Sequence, residues 1–323
     1  MSAVVVFIIF AICLVIAIPI SISLGIVAVL PGAFDASFTA SAGYVIRSMV
    51  GGIDSFPLLA VPMFVLAGIL MAHGKISEKL FDVFVYFLGN KRAGIPCAVI
   101  ITCLFYGAIS GSAPATVAAV GSMTIPLLIE LGYEKDFSTA IVAVAGGLGV
   151  IIPPSIPFIM YAMATGESVS DLFLAGIVPG MMISALLIFY AYYYCRRHGE
   201  DREKIQAKMD QLKTKGFVNI LKESIWALLS PVIVLGCIYS GVASPTEAAV
   251  ISVFYSLFVS LFIYKSIKVK QIWGIMVEAM KTYAPILFIL ATSTAFSRVL
   301  TLMQVPQDVS AWILSLIHIS EPT

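Results

Sequence analysis

The segment that decides the fold is Gly107–Tyr133, which reads GAISGSAPATVAAVGSMTIPLLIELGY. It lies in the apolar run 95–131, and the uncharged sequence SGSAPAT at residues 110–116 divides that run in the middle. Each arm has about 15 residues, whereas a helix needs about 20 to cross the hydrocarbon core of a bilayer. Two short arms around an uncharged tip predict a re-entrant helical hairpin. The alternative is two thin spans joined by a loop outside the membrane.

A second interruption follows in the apolar run 137–164. This run contains Gly146-Gly147-Leu148-Gly149 and then Pro153-Pro154-Ser155. Proline lacks a backbone donor and pushes the preceding residue out of helical geometry. We therefore expect two half-helices with unwound chain between them, that is, one discontinuous helix.

The composition of the chain requires lipid as a solvent. Of the 323 residues, 60% are hydrophobic and 11% are charged, with a mean hydropathy of +1.03. Soluble domains carry about 25% charged residues. The net charge of +1 provides no basic face for nucleic acid. The five cysteines have no paired spacing, which argues against a disulfide framework or a zinc site. The predicted fold class is an all-α polytopic membrane protein.

The distribution of basic residues predicts the topology. Eight of the 19 Lys and Arg residues lie in 196–222, so the positive-inside rule places this loop in the cytoplasm. The apolar stretch Val4–Leu30 is either one long tilted helix or two short helices that meet near Pro19. The predicted division of the chain is N-terminal scaffold helices (1–55), a span with an interfacial amphipathic arm helix (56–92), half of a transport domain (93–195), the basic loop (196–222), further scaffold helices (223–282) and the start of a second repeat (283–323).

An internal repeat relates Phe56–Leu80 to Pro285–Val309, at an offset of 229 residues. Both segments contain an apolar span, a short break and an amphipathic start. With the basic loop in the cytoplasm, the first copy crosses the membrane from outside to inside and the second from inside to outside. This predicts an inverted-topology repeat of the kind found in secondary transporters. A second hairpin tip is then expected at about position 339, so we expect this sequence to lack half of the transport site.

The two interruptions are candidates for a substrate and ion site. Neither 93–129 nor 137–166 contains Asp, Glu, His, Lys or Arg. Broken backbone at membrane depth is tolerated only where protein or a cavity satisfies it. Proton-coupled carriers usually place an ionisable residue in the pathway, so a neutral site rich in oxygen favours Na⁺ as the coupling ion. Half-helix N-termini, such as the one after Pro114, offer N–H groups to a carboxylate.

The candidate residues come from both interruptions, and none is expected to be catalytic. The candidate site comprises Ser110, Gly111, Ser112, Ala113, Pro114, Thr116, Gly147, Gly149, Pro153, Pro154 and Ser155. Among these, the candidate Na⁺ ligands are Ser110, Ser112, Thr116 and Gly149.

Other interpretations of the same residues are less economical. Small residues let membrane helices approach closely, and Gly147 and Gly149 could serve packing alone. An intramembrane serine hydrolase needs a base, but neither the hairpin nor the broken helix contains a histidine. A purely structural or assembly protein would leave the uncharged breaks unexplained.

At Gly107–Tyr133 and Gly146–Ser155 the chain resembles the large membrane subunit of the tripartite ATP-independent periplasmic (TRAP) transporters. FPLLAVPMFVLAG at Phe56–Gly68 and SPTEAA at Ser244–Ala249 support the resemblance, which covers essentially Met1–Leu314. It implies an elevator-type carrier in a bacterial inner membrane. On this sequence, 110–116 would form the hairpin tip, and Gly147, Gly149, Pro153, Pro154 and Ser155 would line the unwound helix.

The resemblance also implies partners, a substrate class and a coupling ion. The partners would be a small membrane subunit and a periplasmic substrate-binding protein. The substrate would be an organic acid such as a C4-dicarboxylate or a sugar acid like sialic acid, taken up with Na⁺ and with no other cofactor. The alternative is a related ion-coupled carrier of organic anions that works without a binding protein.

Overall fold

The computed structural model describes residues 2–35, 38–214 and 216–319, and the regular structure in these ranges is helical. By contact, the chain divides into two compact units, Met1–Ser55 with Lys281–Thr323, and Phe56–Met280. In chain order the α-helices are α1 (Ala3–Val15), α2 (Ile20–Phe34), α3 (Ala42–Ile53), α4 (Ala60–His73), α5 (Ile76–Leu88), α6 (Gly94–Ser110), α7 (Ala113–Glu130), α8 (Lys135–Gly146), α9 (Ile156–Thr165), α10 (Val169–His198), α11 (Arg202–Thr214), α12 (Phe217–Tyr239), α13 (Pro245–Phe258), α14 (Val269–Leu302) and α15 (Val305–Ile319).

The first unit contains α1, α2, α3, the later part of α14, and α15. The stretch Val4–Leu30 forms two short helices, because α1 ends at Val15 and Pro19 caps the start of α2. Pro31 does not end α2, which continues to Phe34. The core of this unit is apolar, and Phe296 of α14 stacks on Phe10 of α1 with ring centroids 6.1 Å apart.

The second unit is built around α6, which packs against α5, α7, α8 and α10. Its fully buried side chains include Ile95, Ile100 and Tyr106 on α6 and Leu128 on α7. On one side α4 packs along α13. Helix α13 begins with a capping box, in which Ser244 and Glu247 bond each other's backbone N–H groups, as expected for an acidic residue in a first helical turn.

The basic segment 196–222, predicted as a loop, is mostly helical, because α10 continues to His198, α11 covers Arg202–Thr214 and α12 begins at Phe217. Its helix α11 buries Ile205, Met209 and Leu212, which pack with α5. These residues follow the i, i+4, i+7 spacing of one helical face. The segment also contains eight basic residues, so this weak apolar pattern did not predict a helix from the sequence. The six-part division of the chain, including the scaffold and transport labels, stays a prediction.

Six helical segments of the described chain are long and apolar enough to cross a membrane, by length and composition. They are Phe56–His73, Ala113–Glu130, Val169–His198, Val218–Tyr239, Pro245–Ile263 and Val269–Leu302. The second of these is α7, so the hairpin arms are longer than predicted, with 17 residues in α6 and 18 in α7. The reason is that helix extends through Ser110 and resumes at Ala113, which leaves only Gly111 and Ser112 at the tip. Re-entry of the hairpin into the membrane stays a prediction.

The backbone reproduces the internal repeat. Helix α4 ends at His73 and α5 begins at Ile76, with Lys75 between them in the left-handed region at φ 59°. At the predicted offset, α14 ends at Leu302 and α15 begins at Val305, with Gln304 at φ 58°. The two breaks therefore have the same length and the same backbone geometry. The inverted orientation of the copies stays a prediction.

The left-handed break at Gln304 gives the first testable prediction. A residue other than glycine loses about 1–2 kcal/mol in this region, so Gln304→Gly should raise the free energy of unfolding by about 0.5–1 kcal/mol after the entropy cost of glycine. Gln307 is equally exposed but lies inside α15, so Gln307→Gly should lower it by about 1 kcal/mol. Thermal unfolding in detergent measures both shifts. The same sign for both variants would contradict the assigned break.

Candidate functional site

The two predicted interruptions meet. The carbonyl oxygen of Gly111, at the hairpin tip, accepts the backbone N–H of Ile156 at 3.2 Å. Gly111 has φ 62°, and an added Cβ there would lie 2.8 Å from the carbonyl oxygen of Pro154. Glycine is therefore required at this position both for backbone geometry and for space. The tip is seated on the unwound chain that precedes α9.

The unwound chain is Ile151–Ser155, which separates a short 3-10 turn, Gly147–Val150, from α9. The Pro153–Pro154 peptide in it is cis. Ser155 is fully buried, and its hydroxyl donates to the carbonyl of Val150 at 2.7 Å and accepts the N–H of Phe158 at 3.4 Å. Ser155 therefore closes the unwound segment and caps α9 at the same time.

Three residues of the hairpin tip form a compact group of oxygens. The hydroxyls of Ser110 and Thr116 lie 3.0 Å apart, and both side chains are buried. The Thr116 hydroxyl also donates to the carbonyl of Ser112 at 2.9 Å. A hydroxyl has two lone pairs, so Ser110 and Thr116 keep acceptor capacity toward a cation. The Ser112 carbonyl already accepts from the N–H and the hydroxyl of Thr116. The oxygen that Ser112 could still offer to a cation is therefore that of its side-chain hydroxyl, which caps no helix N–H.

Close backbone approach joins the 3-10 turn to the hairpin. An added Cβ at Gly149 would lie 2.4 Å from the Thr116 hydroxyl and 3.0 Å from the Ser112 carbonyl. An added Cβ at Gly107 would lie 2.6 Å from the Cα of Gly149. Real Cβ atoms do not tolerate such distances to backbone, so glycine at both positions allows the two segments to touch.

Of the candidate site residues, the structure brings together Ser110, Gly111, Ser112, Thr116 and Gly149, with Pro154 and Ser155 next to Gly111. Gly147 stands apart, since an added Cβ there would meet nothing within 4 Å. Pro153 is buried in the unwound chain, while Ala113 and Pro114 begin α7, with Pro114 exposed.

Two supporting residues were not among the candidates. Gly107 lies one turn before Gly111 on α6, a spacing that puts both on one helix face. Gly68 of α4 meets the tip from another side, because an added Cβ there would lie 3.0 Å from the Cβ of Ser110. The Tyr106 hydroxyl donates to the Gly68 carbonyl at 2.9 Å. The four-residue glycine spacing on α6 was the available signal for Gly107, and no local signal marks Gly68.

The place where the hairpin tip (110–116) meets the 3-10 turn and the unwound chain (147–155), called the junction below, combines helix ends of both polarities. Helices α7 and α9 begin here, at Ala113 and Ile156, and their N-termini carry partial positive charge. Helix α6 and the 3-10 turn end here, at Ser110 and Val150, and present carbonyl oxygens. Within the described residues, no group of three or more His, Cys, Asp or Glu side chains could hold a metal ion. The junction therefore offers neutral oxygens to a small cation. Its N–H groups for an anion lie at the start of α7, because the N–H groups of Ile156 and Phe158 at the start of α9 are already bonded to Gly111 and Ser155.

Comparison with known proteins identifies a family. The family described as "Tripartite ATP-independent periplasmic transporter, DctM component" matches residues 7–320. The chain is 40% identical over 307 residues to the isethionate TRAP transporter permease protein DctMQ of Oleidesulfovibrio alaskensis, covering 95% of this chain and 47% of that protein. It is 38% identical over 263 residues to the C4-dicarboxylate TRAP transporter large permease protein DctM of Pseudomonas aeruginosa, covering 81% and 60%.

A third relative is named for a different substrate. The chain is 35% identical over 264 residues to the 2,3-diketo-L-gulonate TRAP transporter large permease protein YiaN of Escherichia coli, covering 82% of this chain and 61% of that protein. The chain thus spans between about half and three fifths of the length of these three relatives.

The contrast between two glycines of one turn tests the junction. Gly149→Ala should lower the free energy of unfolding by about 1–3 kcal/mol, because the new Cβ overlaps the Thr116 hydroxyl and the Ser112 carbonyl. Gly147→Ala, two residues away in the same turn, should raise it by up to about 1 kcal/mol, because the backbone there is helical and the new Cβ meets nothing. Thermal unfolding of the two purified variants provides the comparison, and equal losses would show that Gly149 does not touch the hairpin.

Proposed function

The chain belongs to the DctM component family of the tripartite ATP-independent periplasmic transporters, and we propose that it forms part of the path by which Na⁺ drives a small organic anion across a bacterial inner membrane. It is a subunit of a membrane transporter and not an enzyme. The direction of the proposed transport is uptake into the cytoplasm.

The observation that carries the proposal is the contact between two uncharged breaks. Gly111 at the hairpin tip is hydrogen-bonded to Ile156 at the start of α9, and Gly149 lies against Thr116. Discontinuous helices near the middle of a bilayer are the places where secondary transporters hold coupling ions and substrates. The hydroxyls of Ser110 and Thr116 would hold Na⁺ on one side, with further ligands from carbonyls at the ends of α6 and the 3-10 turn. The N-terminus of α7 would face the anion.

A small organic anion is the proposed substrate class. The three relatives are named for isethionate, a C4-dicarboxylate and 2,3-diketo-L-gulonate, and each of these molecules carries a sulfonate or a carboxylate. The N-terminus of α7 suits such a group, because helix N–H groups bind carboxylates and sulfonates alike. The breaks contain no Lys or Arg side chain that would select one particular acid. We propose that the choice among organic acids depends on groups outside these two breaks.

The proposed assembly includes a small membrane subunit and a periplasmic binding protein, as the family description implies. The basic segment 196–222 would face the cytoplasm, and the hairpin with the discontinuous helix would move as one body in an elevator-type cycle. A complete permease that transports equally well without the binding protein would favour the alternative, a related carrier that needs no such partner.

The coupling ion is tested by uptake into proteoliposomes with a complete permease that contains this sequence and its partner subunits. We expect uptake of a C4-dicarboxylate, isethionate or a sugar acid to require an inward Na⁺ gradient. Replacement of Na⁺ by K⁺ should abolish it. Uptake that is unchanged in K⁺ would contradict Na⁺ coupling.

The hydroxyl of Thr116 is tested with a matched control on the same helix. Thr116→Val should raise the half-saturating Na⁺ concentration about tenfold, equivalent to about 1.4 kcal/mol of lost binding. Thr124 is also fully buried on α7 and also bonds the carbonyl four residues earlier, at 2.8 Å, but lies two turns from the tip. Thr124→Val should leave the Na⁺ concentration within about twofold. Equal shifts would remove Thr116 from the ion site.

A further inference from the structure

Glu200 is a buried carboxylate outside the site described above. Its side chain is 2% exposed although it lies in the charged segment after α10. Its two oxygens accept the backbone N–H of Ala93 at 3.0 and 3.2 Å, and one of them accepts the Tyr133 hydroxyl at 2.7 Å. Arg202, which is half exposed, donates to it at 3.2 Å.

The groups that Glu200 binds are the two ends of the hairpin. Ala93 immediately precedes α6, in the left-handed conformation with φ 57°, and Tyr133 lies three residues after the end of α7. Arg202 extends the connection, because it also donates to the carbonyl of Asn90 just before α6, at 3.3 Å. One side chain thus joins the entry and the exit of the hairpin to the segment that follows α10.

The partners of the Glu200 side chain described above are all donors. A carboxylate can only accept hydrogen bonds, so its charge matches the two N–H donors and the phenol. Burial and the hydrogen bond to Glu200 raise the pKa of Tyr133 above its usual range, so the phenol keeps its proton and remains a donor. A glutamine in this place would turn an amide N–H₂ group toward one of these donors.

A second contact attaches the end of α10 to the start of α8. The ring of Tyr194 is stacked between Phe137, at a centroid distance of 3.9 Å, and His198, at 4.1 Å. The Tyr194 hydroxyl donates to Glu134 at 2.6 Å. The hairpin base, the start of α8 and the end of α10 are therefore cross-linked by side chains at one place.

We propose that Glu200 is a positioning residue that closes the base of the hairpin and makes the hairpin move with α10 as one body. The effect of Glu200 on the motion of the hairpin rests on the proposed transport function. Its closure of the hairpin base rests on the hydrogen bonds alone. Helix α6 has 17 residues, so the tip lies about 25 Å from Glu200. Glu200 therefore acts on the motion of the tip, whereas the Na⁺ ligands lie at the far end of the helix.

Hydrogen exchange tests the structural part without any transport measurement. In Glu200→Gln, the amides around Ala93 and the first turn of α6 should exchange about tenfold faster or more, because a buried acceptor has been replaced by a mixed donor and acceptor. Glu203→Gln, an exposed change of the same chemistry three residues later, should leave these rates within about twofold. Unchanged exchange at 93–97 in Glu200→Gln would overturn the proposal.

Uptake kinetics test whether Glu200 affects the motion of the hairpin. In a complete permease with its partners, Glu200→Gln should lower the maximal uptake rate about tenfold and leave the half-saturating Na⁺ concentration within about twofold, because the ion ligands are untouched. A shift in half-saturating Na⁺ with an unchanged maximal rate would overturn the positioning role. If the unmodified permease shows no Na⁺-driven uptake, the proposed function fails, and the exchange measurement still decides whether Glu200 closes the hairpin.

Discussion

Backbone that lies in lipid must satisfy its own N–H and C=O groups, and each group left unsatisfied costs several kcal/mol. In this chain, two segments leave helical geometry within apolar runs, and they partly satisfy each other. Gly111 accepts from Ile156, and the Thr116 hydroxyl and the Ser112 carbonyl close the tip internally. At the membrane depth that we propose for them, neither break could persist alone, so the other features of the site depend on this pairing.

Close approach makes the pairing possible. Glycine at 107, 111 and 149 lets backbone touch backbone, and a single methyl group at any of them would meet an atom within 3 Å. The same approach brings together the ends of four helical segments without bringing in a formal charge. The proposed site of helix ends and hydroxyls has no fixed charge that would trap a cation permanently, which suits an ion that must be bound and then released. At the other end of the hairpin, the buried charge of Glu200 has a structural role. Its carboxylate is held by a fixed set of protein donors and binds no exchangeable ligand in this proposal.

Sequence predicted the features that depend on local chemistry. Proline and glycine located both breaks, and the apolar pattern gave the repeat, whose left-handed residues Lys75 and Gln304 lie at the expected offset. Local pattern could not give features that depend on distant contacts. Gly147 and Gly149 look equivalent in sequence, but successive residues of a 3-10 turn point in directions about 120° apart, and only Gly149 faces the hairpin. Glu200 looks like one more solvated charge, and its burial depends on segments around 93 and 133 that are far away in the chain.

In the proposed function, the two paired breaks bind Na⁺ jointly. Hydrogen exchange of the amides in 111–116 and 150–156, followed during Na⁺ titration of a complete permease, tests it most directly. We expect Na⁺ to slow exchange in both segments with one common half-saturation, and K⁺ at equal concentration to leave it unchanged. Protection that is absent, equal in K⁺, or confined to one of the two segments would contradict it.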